Sequence, residues 1–399
     1  MRTTTSPLSV CILGRQPALG LAELESLYGS HTVSPVADHA AGLSLHASDV
    51  DFDRLGGSTR LAHVLAALPT TDWKRIEREL PLLVTELTLT LPPDGKIQLG
   101  LSAFGIKVSP AKLNASGLTL KKIIRSKTGR SVRVSPNATL ELNTATVQHN
   151  KLAGPTGIEL LLIATHDGGT IIARTVQVQD IDSYTLRDRG RPKRDARVGM
   201  LPPKLAQILI NLTNPQPNTV VLDPFCGTGV LLQEALLMGL SVYGSDLEPR
   251  MIEYSRANLD WLDEQFGLAD RHIFLEQADA TTLENHDVID AVACETYLGR
   301  PFTARPSPDI LAQTSSDVNL ILKKFLRHLH GQLASGTRLA LAVPAWQVGP
   351  GQFKHLPLID QISDLGYNRL RFEHVRDDQL LYYRDDQIVA REILALTRK

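Results

Sequence analysis

The chain has 399 residues with 42 Lys and Arg against 43 Asp and Glu, a formal net charge of -1, so it suits two or three domains and is no polycation coating nucleic acid along its length. Three separated cysteines, Cys11, Cys226 and Cys294, with no C-x-x-C, exclude a disulfide framework and a cysteine-rich zinc site and fit a reducing compartment. The start carries one basic residue before a short apolar run, and nothing approaches ~18 continuous apolar residues, so a cytoplasmic protein with no membrane segment and no metal is expected.

In chain order, residues 10–13 form a short strand and 14–17 a turn. Leu19, Leu24 and Leu27 then share one face of a helix over 18–28 that Gly29 can close. Short runs follow to about residue 47 and complete a small α/β unit. Residues 52–68, with Gly56-Gly57-Ser58 in their middle, are placed as a connector. A second, α+β unit spans about 72–178. Its stretch 80–90 is open to helix or strand, 96–104 alternates as a strand, and 111–127 carries Leu113, Leu120, Ile123 and Ile124 at near-helical spacing. Short elements over 131–134 and 144–149 precede strands 158–164 and 170–178, which Gly168-Gly169 joins as a hairpin.

Two basic clusters stand out in this balanced chain. Lys121, Lys122, Arg125, Lys127, Arg130 and Arg133 lie in the second unit; Arg187, Arg189, Arg191, Lys193, Arg194 and Arg197 lie in the connector after it. Basic side chains neutralise phosphates and release counterions, which favours nucleic acid without specifying sequence. The alternative for any charge run is a solvated face. Asp188 and Asp195 partly offset the second cluster, so its arginines could instead pair locally.

Next comes Val220-Val221-Leu222-Asp223-Pro224-Phe225-Cys226-Gly227-Thr228-Gly229 and an apolar segment over 230–239: a strand, a glycine turn and a helix. Such a βα unit turns main-chain N–H groups towards a ligand. A dinucleotide fingerprint needs a third glycine where this chain has Leu232. Asp223 would repel phosphates but could accept a hydrogen bond from an ammonium group, which suits the methionine end of S-adenosylmethionine. Residues 240–247 read as a strand ending in Asp246, about the ~20 residues on at which Rossmann-like folds place an acid for ribose hydroxyls. A helix from Pro249 follows, with Gly267 to end it. The third strand, HIFLEQAD, puts Asp279 where it could accept from adenine's amine. Acids after strands can also be mere helix caps; three in succession favour a ligand.

After a strand over 288–294, a helix over 309–333 and a buried strand over 339–343 ended by Pro344-Ala345-Trp346 are expected. Then come a helix near 358–365 closed by Gly366 and strands over 370–375, 380–384 and 389–396 as an antiparallel edge.

The passage Tyr184-Thr185-Leu186-Arg187-Asp188-Arg189-Gly190-Arg191-Pro192, then Gly199-Met200-Leu201-Pro202-Pro203-Lys204-Leu205-Ala206, resembles the linker and entry helix of THUMP-domain RNA methyltransferases. ILGRQPALGLAELESLYG resembles their N-terminal ferredoxin-like unit, the second unit a THUMP domain, and DPFCGTG their S-adenosylmethionine loop. The resemblance covers nearly the whole chain and in architecture is nearest to tRNA guanine-N2 methyltransferases. It implies an α/β protein: a class I (Rossmann-like) methyltransferase domain at 201–399, preceded by a ferredoxin-like domain at 1–68, a THUMP domain at 69–180 that binds the tRNA acceptor end, and a basic linker at 181–200. The cofactor would be S-adenosylmethionine. Asp223 and the Gly227 and Gly229 main chain would hold its methionine end, Asp246 its ribose and Asp279 its adenine, with Pro224, Leu247 and Ala280 as further cofactor-binding residues. The partner would be tRNA or another RNA, with a helper subunit left open.

One place departs from that family. Where its amino-methyltransferases carry Asp-Pro-Pro-Tyr, often followed by Gly, this chain reads Glu295-Thr296-Tyr297-Leu298-Gly299. A purine amine is a weak nucleophile; a carboxylate and a main-chain carbonyl accept its hydrogens and localise the lone pair while an aromatic ring stacks on the extruded base. Glu295 keeps the acceptor, one methylene longer. Thr296 keeps a carbonyl without the stiffening prolines, and the aromatic moves to Tyr297, with Leu298 in its former place. An altered but active pocket, a different nucleophile, and a silent relative that only binds RNA all fit this stretch. The leading expectation is methylation of a guanine N2 in tRNA; rRNA or DNA as the amine-bearing substrate is the alternative.

Overall fold

The computed structural model describes residues 7–195, 201–268, 271–284, 288–302, 304–384 and 387–399. Arg197, Gly199 and Met200 lie outside them. The chain divides into two compact units: residues 1–17, 29–53 and 58–182 in the first, and 18–28, 54–57 and 183–399 in the second. Among the described residues no helix is long and apolar enough to cross a membrane.

The first unit is built on β1 (Ser9–Leu13), β2 (Val33–Ala37), β3 (Ala40–Leu43), β4 (Ser58–Leu68), β5 (Ile97–Phe104), β6 (Val132–Val134), β7 (Gly157–Ala164) and β8 (Thr170–Val178). They form one sheet in the order β2-β3-β1-β4-β8-β7-β5-β6. The stretch placed as a connector is therefore largely β4, an interior strand paired with β1 on one side and β8 on the other. Its alternation is broken, because register shifts against β8 follow Leu61 and Val64 and because Arg60, Leu61 and Ala62 are buried in succession. Residues 1–68 and 69–180 thus contribute to the same sheet.

Helix α1 (Pro17–Tyr28) belongs for the most part to the second unit, and α2 (Trp73–Thr90), α3 (Pro110–Thr128) and α4 (Thr144–His149) to the first. The ambiguous stretch 80–90 is helical: Trp73, Ile76, Leu80, Val84 and Leu87 make a buried stripe, and Asp72 caps the start by accepting from the Arg75 N–H, one of the donors a helix leaves unpaired. Ser109 caps α3 in the same way and left-handed Gly129 ends it.

In the second unit the chain runs α5 (Ile181–Thr185), over which it passes from the first unit, then α6 (Pro203–Leu212), β9 (Val220–Asp223), α7 (Val230–Leu237), β10 (Ser241–Asp246), α8 (Pro249–Phe266), β11 (Ile273–Gln277), β12 (Ala291–Glu295), α9 (Pro308–His330), β13 (Arg338–Gly349), β14 (Gln352–Lys354), β15 (Tyr367–Arg369), β16 (Leu381–Tyr382) and β17 (Val389–Arg398). The sheet order is β11-β10-β9-β12-β13-β17-β15. The strands from β11 to β13 are parallel; β17 and β15 add the antiparallel edge. Successive strands step outwards from β9 to β11, then jump to the other side at β12, so the topological switch point lies between β9 and β12. Ligands of open α/β sheets bind in the crevice at the carboxyl ends there.

Three sequence expectations change. Pro344 does not end β13, which continues to Gly349; β12 stops opposite Ala342, leaving one side of β13 open to a residue that lacks an N–H. Residues 357–361 form a 3-10 turn rather than an α-helix. Residues 370–375 are not a strand; the pairing with β17 there is made by β15, residues 367–369.

Within the second unit, α1 is fastened by a buried carboxylate. Glu23 Oε1 accepts from the Gly56 N–H at 2.9 Å and from Asn211 Nδ2 at 2.7 Å, and Oε2 accepts from the Gly57 N–H at 2.8 Å. A Cβ on Gly56 would stand 2.0 Å from the Lys204 carbonyl oxygen, so the close approach needs glycine. Burial pushes the Glu23 carboxyl up to about 7, against the pull of these donors and of Arg54. The folded state therefore holds a proton that the unfolded chain has released. Its contribution to stability is full below the unfolded value and is lost as pH rises through 7, at most ~1.4 kcal/mol per pH unit. Denaturant melts of wild type and Glu23→Gln at pH 5 and pH 8 should show the difference moving against the wild type by about 2–3 kcal/mol. A difference that stays constant would place the carboxyl in its ordinary range.

Candidate active site

Four carboxylates follow or end four neighbouring parallel strands: Asp279 after β11, Asp246 on β10, Asp223 on β9 and Glu295 on β12. Asp223 is buried and accepts from the Phe225 N–H at 3.1 Å. Burial pushes its carboxyl well above the usual carboxylate range, and the charges of Asp246 and Glu295 add to this. Burial raises Asp246 as well, although Glu248 and Gly227 donate main-chain hydrogen bonds to it at 3.0 and 2.9 Å. Asp279 is exposed and accepts from the Thr281 N–H at 2.8 Å. Among the described residues, no ion pair reaches Asp223, Asp246 or Asp279.

The glycine loop departs from its expected use. The Gly227 N–H is bonded to Asp246, and the Gly229 N–H to the Cys226 carbonyl at 2.8 Å. Both donors expected to face a ligand are spent, the first on the acid of the next strand and the second within the turn. The glycines supply shape instead: Gly229 has φ +80°, and a Cβ there would stand 2.9 Å from Ser255 Oγ, so only glycine lets α8 pack this closely.

The remaining chemistry fits the methionine, ribose and adenine parts of S-adenosylmethionine. A buried acid without a cation, Asp223, matches an ammonium group. Asp246 keeps acceptor capacity beyond its two main-chain donors, since a carboxylate offers about four lone-pair sites. Leu247, 62% exposed beside it, offers an apolar surface to a planar base, while Pro224 and Ala280 are buried as packing around the acids.

At the departed motif, Glu295 is already engaged. Its Oε1 lies 2.5 Å from Arg391 Nε on β17, with the side chains 12% and 7% exposed. Thr296 is buried; its N–H and hydroxyl both donate to the Ala342 carbonyl, at 3.0 and 3.2 Å. Those two contacts fix the turn where the family has prolines. Tyr297 is 44% exposed, Leu298 half-buried, and left-handed Gly299 lets the loop turn against α9. A pocket of about 360 Å³ opens beyond this loop, lined by Tyr297, Arg300, Ile310, Gln313 and Asp317 among others, but by none of the four acids. Sequence reasoning missed Arg391. Its signal was two adjacent charges, Arg391-Glu392, inside the apolar run of β17.

The basic clusters separate by burial. In the first unit Lys122, Arg125, Lys127 and Arg133 are exposed and Lys121 half-buried, while Arg130 donates to the Asp94 and Gly95 carbonyls at 3.0 and 3.1 Å. In the connector two expected RNA contacts are internal. Arg187, 8% exposed, binds Glu234 on α7 through Nε and Nη2 at 2.7 and 3.3 Å. Arg191 is 3% exposed with no hydrogen bond to its guanidinium, and burial lowers its pKa. Neither can neutralise a phosphate as it stands. Arg189, Lys193 and Arg194 remain exposed. The Lys193 main chain is bonded both ways to Asn258, whose amide also donates to the Thr228 carbonyl at 2.8 Å, so the connector is tied to the glycine loop.

A family model described as UPF0020: RMKL-like, methyltransferase domain matches residues 191–347. The chain is 33% identical over 147 residues to a tRNA (guanine(10)-N2)-dimethyltransferase of Methanothermobacter thermautotrophicus, a match covering 37% of this chain and 39% of that protein's length. Two solved structures align over nearly the whole chain. TrmN from Thermus thermophilus has TM-score 0.52 at 16% identity, covering 98% of this chain and 99% of that one. SMU.472, a putative methyltransferase complexed with SAH, has TM-score 0.51 at 12% identity, covering 99% and 98%. The chain has an α/β fold whose second unit is that of a class I methyltransferase.

Proposed function

We propose that this chain is an S-adenosylmethionine-dependent RNA methyltransferase that methylates the exocyclic N2 amine of a guanine in tRNA. The observation that carries the reading is the row of carboxylates across the switch point, with Glu295 electrostatically beside Asp223. The relative named as a tRNA guanine-N2 enzyme and the matched methyltransferase domain support it.

When bound, the donor supplies an electrophilic methyl group on a sulfonium. Asp223 would accept from the donor's ammonium, Asp246 from its ribose hydroxyls and Asp279 from its adenine amine. Glu295 and the Thr296 carbonyl accept the guanine N2 hydrogens, which localises the nitrogen lone pair. Tyr297 and Leu298 pack on the base once it leaves its stack. As the amine takes up the methyl group, Glu295 would accept the proton the nitrogen loses and pass it to solvent. Residues 69–180 of the first unit act as a THUMP-type RNA-binding domain, the exposed Lys122, Arg125, Lys127 and Arg133 meeting phosphates with half-buried Lys121 beside them. A second reading, a silent relative that only binds RNA, draws on the engagement of Glu295 by Arg391.

Purified protein incubated with labelled donor and bulk tRNA, followed by digestion to nucleosides, separates the two: N2-methylguanosine supports the enzyme, and tRNA binding without transfer supports the silent relative. DNA and rRNA as competitors test the substrate class. Glu295→Gln should lower transfer ~10²-fold or more while S-adenosylhomocysteine affinity, read by calorimetry, stays within about twofold of wild type.

Because burial raises Asp223, affinity for the donor should tighten as pH rises from the carboxylate range towards neutrality; Asp223→Asn should bind weakly with a flat profile. Lys122→Ala and Arg125→Ala should each reduce the salt slope of tRNA binding by about 1. Arg187→Met should leave that slope unchanged and destabilise the fold by about 3–5 kcal/mol, measured by denaturant melts.

A further inference from the structure

The departed motif and the missed arginine explain each other. Glu295 pairs in register with Ala342 on β13, and Pro344, two residues on, pairs with Arg391 on β17. Side chains two apart share a face, so Glu295, Ala342, Pro344 and Arg391 all lie on one face of the sheet. Glu295 and Arg391 thus stand on either side of β13, two strand spacings across and two residues along, or about 12 Å apart at the backbone. Between them β13 presents only a methyl group and a proline ring, which leaves room for two long side chains to meet. They do meet, Oε1 to Nε at 2.5 Å, almost entirely out of solvent.

Resting on the methyl-transfer reading above, we infer that Arg391 is a positioning residue for the reaction: it fixes the Glu295 carboxylate across β13, and the extra methylene of Glu295 is what lets the pair form. An aspartate at 295 is shorter by one C–C bond and leaves that gap open. Charge calls for the same partner. The groups electrostatically near Glu295 are the Asp223 carboxyl on β9, with Asp246 one strand beyond, and the buried Cys294 thiol that precedes it. All are neutral or negative, and among the described residues Arg391 is the one cation paired with this row. An ionised acceptor beside other carboxylates is favoured by an opposite charge in contact, and Nε binding at Oε1 leaves Oε2 for the substrate amine.

The test compares wild type with Arg391→Met, Arg391→Lys, Glu295→Asp, Glu295→Gln and the Arg391→Met/Glu295→Gln double variant, in methyl transfer to tRNA across pH and in S-adenosylhomocysteine binding. Displacing a reacting group by ~1 Å costs on the order of 10²-fold. Glu295→Asp should therefore lose ~10–100-fold in kcat although it keeps a carboxylate. Arg391→Met should lose a similar factor, with the acid limb of its kcat profile moved to higher pH, and Arg391→Lys should recover part of both. The double variant should be no slower than Glu295→Gln alone. Retained S-adenosylhomocysteine affinity certifies that each variant is folded. An Arg391→Met enzyme with wild-type kcat and acid limb, or a Glu295→Asp enzyme as fast as wild type, overturns the inference while the methyltransferase reading stands. A wild type that binds tRNA and transfers no methyl group overturns both.

Discussion

Carboxylates set at the ends of adjacent parallel strands repel one another, and the second unit is arranged around that repulsion. Parallel strands bring their carboxyl ends to one edge, and the change of direction between β9 and β12 opens a crevice there. The charges of Asp246 and Glu295 raise the energy of the charged form of Asp223, the more so because Asp223 is buried. Such a cluster persists only where something offsets it. Main-chain N–H groups of Phe225, Gly227 and Glu248 do part of this for the two aspartates, and Arg391 does it for Glu295. The negative field left over complements a donor that carries an ammonium and a sulfonium.

The glycine loop serves this arrangement by shape more than by donation. Its N–H groups close the turn and tie it to Asp246, so the loop and the acid on the next strand form one rigid piece. Asn258 extends the piece to the connector through Thr228 and Lys193. Arg187 does the same on the other flank of α7 through Glu234, inside the unit. A connector bound to the fold by its own charges has fewer of them exposed, whereas the basic residues on the face of α3 and Arg133 on the edge strand β6 remain largely open to solvent.

Local signals made much of the fold legible. Gly29 and Gly267 marked the ends of α1 and α8, apolar spacing marked α3, a β-branched run marked β9, and the Gly168-Gly169 turn marked the β7–β8 hairpin. These features are written in neighbours along the chain. The interior strand β4 was not legible, because its bulges against β8 and the successive burial of residues 60–62 break the alternation by which a strand is recognised. Nor was the continuation of β13 past Pro344, which depends on where its neighbour β12 happens to stop.

For the site the division is the same. The sequence alone determined which acids end which strands, and therefore that they would share an edge once the strands lay parallel. It also determined that the motif after β12 holds a glutamate where the shorter acid is usual. Only the tertiary structure decided what each charge would face. Arg187 and Arg191, expected at RNA with local pairing as the alternative, are buried; Gly227 and Gly229, expected to donate to a ligand, donate to Asp246 and to the Cys226 carbonyl; and Glu295 meets an arginine 96 residues away in sequence. Periodicity and capping act over a few residues, whereas ion pairing and burial are set by strand register between segments that the chain brings together only when it folds.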